Sequence, residues 1–593
     1  MITNRGECWM QRAPQASTAN GAETYTDWNA VNWRKANRCV RNLRQRIFRA
    51  SAAGHLKKVA SLQKLMLRSR SNILVSVRRV TQVNAGKSTA GVDKVVVKTP
   101  KARGELVDEL STFEPWRAKP ARRVYIPKAS GKLRPLGIPV IRDRCLQAMV
   151  KNALEPYWEA KFEGMSYGFR PGRGCHDAVE KIYQFARPHK SKKWVVDADI
   201  KGAFDNISHE HLLQVIGKFP ARELIRQWLK AGYVEGEVFH PTDAGTPQGG
   251  VVSPLLANIA LHGIENALTE YMTHPLTGKQ HVSFSGVKYD SRGANCGRRA
   301  VVRYADDFVV FCESKEDAEK SVRLLTEWLK ERGLELSPDK TRICHLTEGF
   351  DFLGFNIRHY RAARTTKTGW KLLIKPSDKS VQKIRKKLRD GWLAHKGQKV
   401  MAVLDHLNPV VRGWANYFRI GVAKRTFAAL DDWMFKRALR YAKRTHPNKP
   451  MYWIKDRYFG RLNLDRQDNW VFGDKPTGGY LLKFKWFAIE RHVLVEGKAS
   501  PDDPALRDYW TKRNMAKAKD LAPSKQKIAR KQQGKCQWCG ESLFNGEEIH
   551  FHRRTPGKDG GKYTYDNMEM VHLFCHQQIH APGRGASLRD AAN

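Results

Sequence analysis

The stretch VVRYADDFVVF, residues 301–311, puts two adjacent aspartates, Asp306 and Asp307, between two runs of β-branched and aromatic residues. Each run has the composition of a buried strand. The chain therefore has to fold back at an acidic tip and hold two like charges side by side at the rim of an apolar sheet. An isolated ADD reads as the polar tip of a surface hairpin. Two like charges become an asset only where cations and a third carboxylate converge on them.

Composition supplies the reason to look for such a site. Lys and Arg number 106 against 59 Asp and Glu, a formal charge of +47 over 593 residues, with an isoelectric point near 10. A charge this large repels itself and draws polyanions through counterion release, so nucleic acid is the expected partner. No apolar run of about 18 residues is present to span a bilayer. The first residues, MITNRGECWMQRAPQAS, lack the apolar core of a secretory signal. Of ten cysteines, seven are scattered singly and three cluster near the C-terminus. That usage predicts an intracellular protein without disulfides.

The organisation reads as multidomain, α/β and α. Residues 1–82 carry basic helices, with apolar positions at helical spacing from Trp28 to Arg79 and Arg and Lys on the other faces. Residues 83–376 alternate short apolar runs with helical patterns. Residues 377–475 return to helices, 476–533 are mixed and basic, and 534–593 carry Cys and His at metal-ligand spacing. GKSTAG, residues 86–91, resembles a phosphate-binding loop, but the pattern requires a glycine where Thr81 stands, so it reads as an ordinary loop.

The third carboxylate comes from WVVDADIKGAFDNISHEHLL, beginning at Trp194. An apolar strand ends in Asp197 and Asp199, a turn of small residues follows, and Ser208 is placed to cap a helix. Two Mg²⁺ ions about 3.5–4 Å apart, the arrangement for in-line phosphoryl displacement, need several hard carboxylate oxygens on one spot. Asp197 and Asp199 lie two apart and share a strand face, so spacing alone does not choose between them.

DIKGAFDNI, GTPQGGVVSPLLANI, RYADDFVVF, LELSPDKTRI and FDFLGF follow one another in the order of the reverse transcriptase sequence blocks. RRVYIPKASGKLRPLGIPVIRDRCLQAMV, SYGFRPGRGCHDAV and LNPVVRGWANYF make the chain resemble a group II intron-encoded protein in particular. The resemblance implies a right-hand polymerase with fingers and palm over 83–376, an α-helical thumb or maturase domain (domain X) over 377–475, and a basic DNA-binding region over 476–533. It implies that Asp199, Asp306 and Asp307, with the backbone carbonyl of Ile200, hold two Mg²⁺ ions. Phe204 matches the aromatic gate that excludes a ribose 2′-hydroxyl. Lys128 and Arg134 lie in a turn between apolar runs where two cations suit an incoming triphosphate. Gln248 in TPQGG is placed to contact nucleotide or template, and Lys340 to protonate the leaving pyrophosphate.

Between Gly421 and Gly460 ten Lys or Arg face three Asp, with Trp433, Tyr441, Tyr452, Trp453, Tyr458 and Phe459 interleaved. Cations among aromatics suit RNA, although the rings serve equally as bundle core.

Near the C-terminus, Cys536 and Cys539 form one C-x₂-C pair, and His572 and Cys575 an H-x₂-C pair. Together they can close a tetrahedral structural Zn²⁺ site that staples a small domain. The surrounding IHFHRRTPGKDGGKYTYDNMEMVHLFCHQQIH is similar to the HNH (ββα-metal) nuclease module. His552, His576 and His580 match its metal ligands, which implies a divalent ion there, and Asn567 matches its asparagine. Arg553 stands where that family places its general-base histidine, and a guanidinium stays protonated. Two readings follow: His550 takes over as base, or the segment only binds DNA.

The expectation is an RNA-directed DNA polymerase and maturase that binds its intron RNA, assists splicing and copies the intron into target DNA by target-primed reverse transcription from dNTPs, with DNA endonuclease activity open. It is expected to act as a ribonucleoprotein away from membranes, in the bacterial cytoplasm at the nucleoid or in an organelle. A reverse transcriptase recruited to host defence and a splicing chaperone with a dead polymerase are the competing readings. The basic helices disfavour the first, and the intact aspartates disfavour the second.

Overall fold

The computed structural model describes residues 26–127, 131, 133–269, 299–363, 367–521 and 523–581, with residues 271–273 and 280–282 described by backbone alone. Lys128 therefore lies outside the described residues.

After a short 3₁₀ turn, Trp28–Ala30, three α-helices follow: Trp33–Ala52, Leu56–Arg68 and Arg70–Arg78. Asn32 caps the first by accepting from the Lys35 N–H at 2.9 Å. Its buried residues Trp33, Ala36, Val40, Leu43, Ile47 and Ala50 are spaced three or four apart, which makes one apolar stripe. The stripe packs against the long helix Ile141–Glu159. Arg44 fixes the contact: its guanidinium binds Asp502 in bidentate fashion at 2.7 and 2.8 Å and Glu155 at 2.9 Å.

A four-stranded antiparallel sheet follows, in the order Arg342–His345, Trp194–Asp199, Asp307–Cys312, Ala300–Tyr304. Its central strands are covered on both faces, which explains why their apolar runs are continuous instead of alternating. Val196, Val301, Phe308 and Val310 enter one core, shared with the N-terminal helices. Val195, Val302, Val309 and Phe311 enter a second core that continues into the helices beyond residue 377. Leaving the sheet, the chain turns into helix Lys315–Lys330, capped by Ser314 accepting from the Asp317 N–H at 3.1 Å. Ser208 caps helix His209–Ile216 as the sequence indicates.

A second four-stranded sheet joins Leu133–Ile138, Ala121–Pro127, Tyr233–Glu235 and Val238–His240 in that order. A three-stranded sheet, Phe350–Phe352, Phe355–Arg361 and Trp370–Pro376, leads to helices Asp378–Ala394, Val400–Phe418, Lys424–Thr445 and Met451–Tyr458. Ser377 caps the first of these. Of the aromatics in this region, Tyr441, Tyr458 and Phe459 are core, while Tyr452 is 76% exposed. The last module is a β-hairpin, Ile549–Arg553 with Met568–His572, followed by helix Leu573–Ile579. No helix among the described residues is long and apolar enough to cross a membrane.

Candidate functional site

The carboxylates meet where two strands end. Strand register sets Asp199 opposite Asp307 and Asp197 opposite Val309. The hairpin turns through Ala305 and Asp306, and Ala305 sits at φ +60°, a left-handed conformation that costs a non-glycine residue energy. What holds it there is buried behind it. The Arg303 guanidinium donates to the Ala305 carbonyl and to Asn258 Oδ1, both at 3.1 Å, and Asn258 Nδ2 donates to the Gly168 carbonyl at 2.8 Å. Gly168 packs so closely on the turn that a Cβ there would lie 2.3 Å from the Ala305 nitrogen.

Asp197 and Asp199, equivalent by spacing, differ in their partners. Arg342 Nε donates to Asp197 at 3.1 Å, whereas Lys340 Nζ donates to Asp199 at 2.5 Å, on the side of the turn. Burial raises the Asp197 carboxyl in spite of Arg342. Asp306 is raised by burial and then by Asp199, and the charges of Arg134 and Lys340 pull against the shift. Asp307 is pushed up to about 7, by desolvation first and then by Asp306 and Asp199. Its surface still opens to the cleft, so solvent relieves part of the desolvation and the crowding of like charges is the cause specific to this place. The hydrogen bond to Asp199 raises Lys340 and keeps it protonated. Such a cluster suits hard divalent cations, which neutralise several carboxylates at once.

Beside the cluster, the bridge between Ile200 and Leu336 uses the flanking groups: Ser337 N–H to the Asp199 carbonyl at 2.8 Å and Lys201 N–H to the Glu335 carbonyl at 2.9 Å. The Ile200 carbonyl takes no part in those two bonds. Phe204 is half-buried, edge-on to Phe169 with centroids 6.1 Å apart. It lines a cavity of about 390 Å³ with Asp205, Gln248, Arg123 and Tyr233. The TPQGG loop is tied down at its start and its middle, by Thr246 N–H to the Phe204 carbonyl at 2.6 Å and Gly137 N–H to the Gln248 carbonyl at 2.8 Å. The Gln248 amide lies 3.3 Å from an Asp205 oxygen. Gly249, at φ +134°, abuts the Gly137 carbonyl so closely that only glycine fits. Arg134 is exposed on Leu133–Ile138.

The C-terminal module holds two further clusters. Cys536, Cys539, His572 and Cys575 are buried, and their donor atoms all lie within 4.8 Å of one another. Three sulfurs and one imidazole form a soft, tetrahedral-capable set that fits Zn²⁺. His552, His576 and His580 are grouped equally tightly. Burial, then His580 and His550, keep His576 below the ordinary imidazole value, which favours the neutral form a metal needs. Asn567 braces the loop between the strands: it accepts from the Thr555 N–H at 2.7 Å and donates to the carbonyls of Thr555 and Lys562 at 3.0 and 2.9 Å. His550 shares its strand face with His552, lies 5.5 Å from the His576 ring, and contacts Glu548 at 3.1 Å. The Arg553 guanidinium stacks on Tyr563 at 4.4 Å.

Sequence reasoning missed Arg303, Asn258 and Gly168. Arg303 was visible in RYADD only as a charge within an apolar run, which is itself a signal, since a cation in a buried strand needs a reason.

Residues 126–357 match the reverse transcriptase (RNA-dependent DNA polymerase) family model, and residues 28–110 the N-terminal domain of reverse transcriptase. Residues 381–459 match the group II intron maturase-specific domain, and residues 536–581 the HNH endonuclease model. Protein YkfC of Escherichia coli (strain K12) is 35% identical over 315 residues, covering 49% of this chain and 81% of that protein. Group II intron-encoded protein LtrA of Lactococcus lactis subsp. cremoris is 31% identical over 412 residues, covering 56% of this chain and 66% of LtrA. An uncharacterized 91 kDa protein in the cob intron of Schizosaccharomyces pombe is 31% identical over 434 residues, covering 63% of this chain and 53% of that protein. With a reverse transcriptase domain, a maturase-specific domain and an HNH endonuclease domain in one chain, the protein belongs to the group II intron-encoded reverse transcriptase–maturases.

Proposed function

We propose that Asp199, Asp306 and Asp307 form the nucleotidyl-transfer site of an RNA-directed DNA polymerase that binds its intron RNA, assists its splicing and copies it into target DNA by target-primed reverse transcription. The observation that carries this reading is the register of Asp199 against Asp307 beside a braced two-residue turn, with Lys340 held on the same cluster. Two Mg²⁺ ions, when bound, activate the primer 3′-hydroxyl and stabilise charge on the transferred phosphate. The chain's residues do the rest. Three carboxylates and the Ile200 carbonyl hold the ions. Lys340, kept protonated, stands ready to give its proton to the leaving pyrophosphate. Phe204 floors the sugar site, the anchored TPQGG loop presents Gln248 to the base pair, and Arg134, with Lys128, meets the triphosphate.

We divide the chain into a basic helical extension (1–82), fingers and palm (83–376), thumb or maturase domain (377–475), basic DNA-binding region (476–533) and HNH-like zinc domain (534–593). Tyr452 and the cations of helix Lys424–Thr445 face outward for intron RNA, while Tyr441, Tyr458 and Phe459 build the bundle. In the last module, the Cys536, Cys539, His572 and Cys575 set would hold structural Zn²⁺, and His552, His576 and His580 would hold a divalent ion supplying Lewis-acid polarisation of a phosphate. Arg553 supplies no base, so second-strand cleavage is weak. The working form is a ribonucleoprotein, in the bacterial cytoplasm at the nucleoid.

The test is RNA-templated extension of a DNA primer with dNTPs and Mg²⁺, run beside splicing of the flanking intron at low Mg²⁺. Full-length cDNA and rescued splicing are expected; a protein that does neither refutes the reading.

A further inference from the structure

Arg78 ends helix Arg70–Arg78, yet it is not one of the solvated cations that cover the N-terminal helices. Its side chain is 8% exposed. One guanidinium nitrogen, Nη2, donates to Cys575 Sγ at 3.2 Å and lies 3.5 Å from Glu547 Oε2, while the guanidinium carbon stacks on the Trp33 ring at 4.7 Å. A buried cation is expensive unless its partner is an anion. Beyond Glu547, what it touches is a sulfur of the Cys536, Cys539, His572 and Cys575 set.

The charges of that set explain the placement. Three thiolates and a neutral imidazole around Zn²⁺ leave one net negative charge in a buried site. A guanidinium hydrogen-bonded to one thiolate cancels it and orients the sulfur, the part that outer-sphere partners play at metal centres. Without a metal, three close-packed thiols offer a buried guanidinium far less.

Around Arg78 the same two units are joined throughout. Arg34 donates to the Gln537 carbonyl at 2.6 Å, and Asn37 to the Cys539 carbonyl at 3.3 Å, so the C-x₂-C turn is held at two carbonyls by helix Trp33–Ala52. Gln578 donates to the carbonyls of Asn29 and Val31 at 2.8 and 2.9 Å. Cys536, Leu543, Met570 and Val571 belong to the same continuous apolar core as Trp33, Ile73 and Val77.

We infer that Arg78 is the outer-sphere partner of the zinc site, and that the bound metal fastens the HNH module to the N-terminal helices. The two units then approach nucleic acid as one rigid body. This rests on the zinc reading of the four ligands and adds to it the dependence on a residue almost 500 positions away in sequence.

The experiment uses the full-length protein. Zinc content is measured by elemental analysis, zinc release to an excess of chelator is timed, and amide hydrogen exchange is followed in helix Trp33–Ala52 with and without the chelator. The wild type should hold at least one zinc. Arg78→Met, which keeps the bulk and removes the charge, should release it at least about tenfold faster. Chelating the wild type should raise exchange in Trp33–Ala52, a measurement that holds even if the variant folds poorly. Glu547→Gln, which removes the competing anion, should release zinc no faster than the wild type. Zinc bound with equal release from Arg78→Met, or no change in exchange on chelation, overturns the inference. Accelerated release from Glu547→Gln as large as that from Arg78→Met overturns the charge argument. A wild type without zinc overturns the metal reading beneath it.

Discussion

Replacing Gly168 with alanine displaces the acidic turn without touching a carboxylate. Gly168 does not use a left-handed backbone, so alanine meets no conformational penalty of its own; the conflict is purely steric. The new Cβ would lie 2.3 Å from the Ala305 nitrogen and 2.9 Å from its Cα, both backbone atoms that no rotamer change can move. Restoring ordinary contact at about 3.5 Å requires the turn to shift by roughly 1 Å. Ala305 is already held at φ +60° by the Arg303 hydrogen bond, so the shift passes to Asp306 and Asp307. A 1 Å misplacement of reacting groups costs about 10²-fold in rate, or roughly 2.7 kcal/mol of barrier. Single-turnover primer extension on an RNA template should show that loss, with template affinity within about twofold of wild type by filter binding, since no phosphate contact is altered. Extension within threefold of wild type would refute the bracing role of this contact.

Three other perturbations address the other parts. The Asp307 carboxyl is raised to about 7, so the metal-free fold is most stable with that group protonated and loses this contribution as pH rises through about 7; the increment in melting temperature produced by Mg²⁺ should therefore be larger at pH 8 than at pH 6 and should flatten in Asp307→Asn, and an increment larger at pH 6 would contradict it. Charge reversal at Lys436, Arg437 and Arg440, all on helix Lys424–Thr445, should weaken intron binding and raise the Mg²⁺ needed for splicing while extension on a generic template falls less; equal losses would mean the helix is a general clamp. Arg553→His should raise nicking of target DNA about tenfold or more with binding unchanged, whereas efficient nicking by the natural protein that vanishes in His550→Ala would assign the base to His550.

Much of the polymerase was legible because its strands are long and bear their charges at the ends. RYADDFVVF and WVVDADI announce two strands and their acidic termini without any tertiary information. What distinguishes Asp197 from Asp199 was not legible, because it depends on register between strands about 110 residues apart and on which cation each carboxylate meets. Arg78 looks like any other arginine in a chain with 106 basic residues, and Arg303 is marked only by the apolar run around it; what each one binds depends on burial, a property of the packed cores. The aromatics after Gly421 carry no mark of which face they occupy, so Tyr441 in the core and Tyr452 in solvent read alike. The small sheet of Phe459–Gly460, Val471–Asp474 and Gly479–Tyr480 escapes pattern reading because strands of two to four residues show no period. The grouping of Cys536, Cys539, His572 and Cys575 could be read from their spacing, while that of His552, His576 and His580 was legible only through the resemblance to the HNH module.

If the Asp306–Asp307 turn is where DNA is made from RNA, one substitution there exposes it. Asp306→Ala removes one carboxylate from the turn and leaves the RNA-facing helices untouched. RNA-templated primer extension with Mg²⁺ should fall below detection, at least about 10³-fold, while intron RNA binding stays within about twofold of wild type. Extension by Asp306→Ala at a rate near that of the wild type would contradict the account.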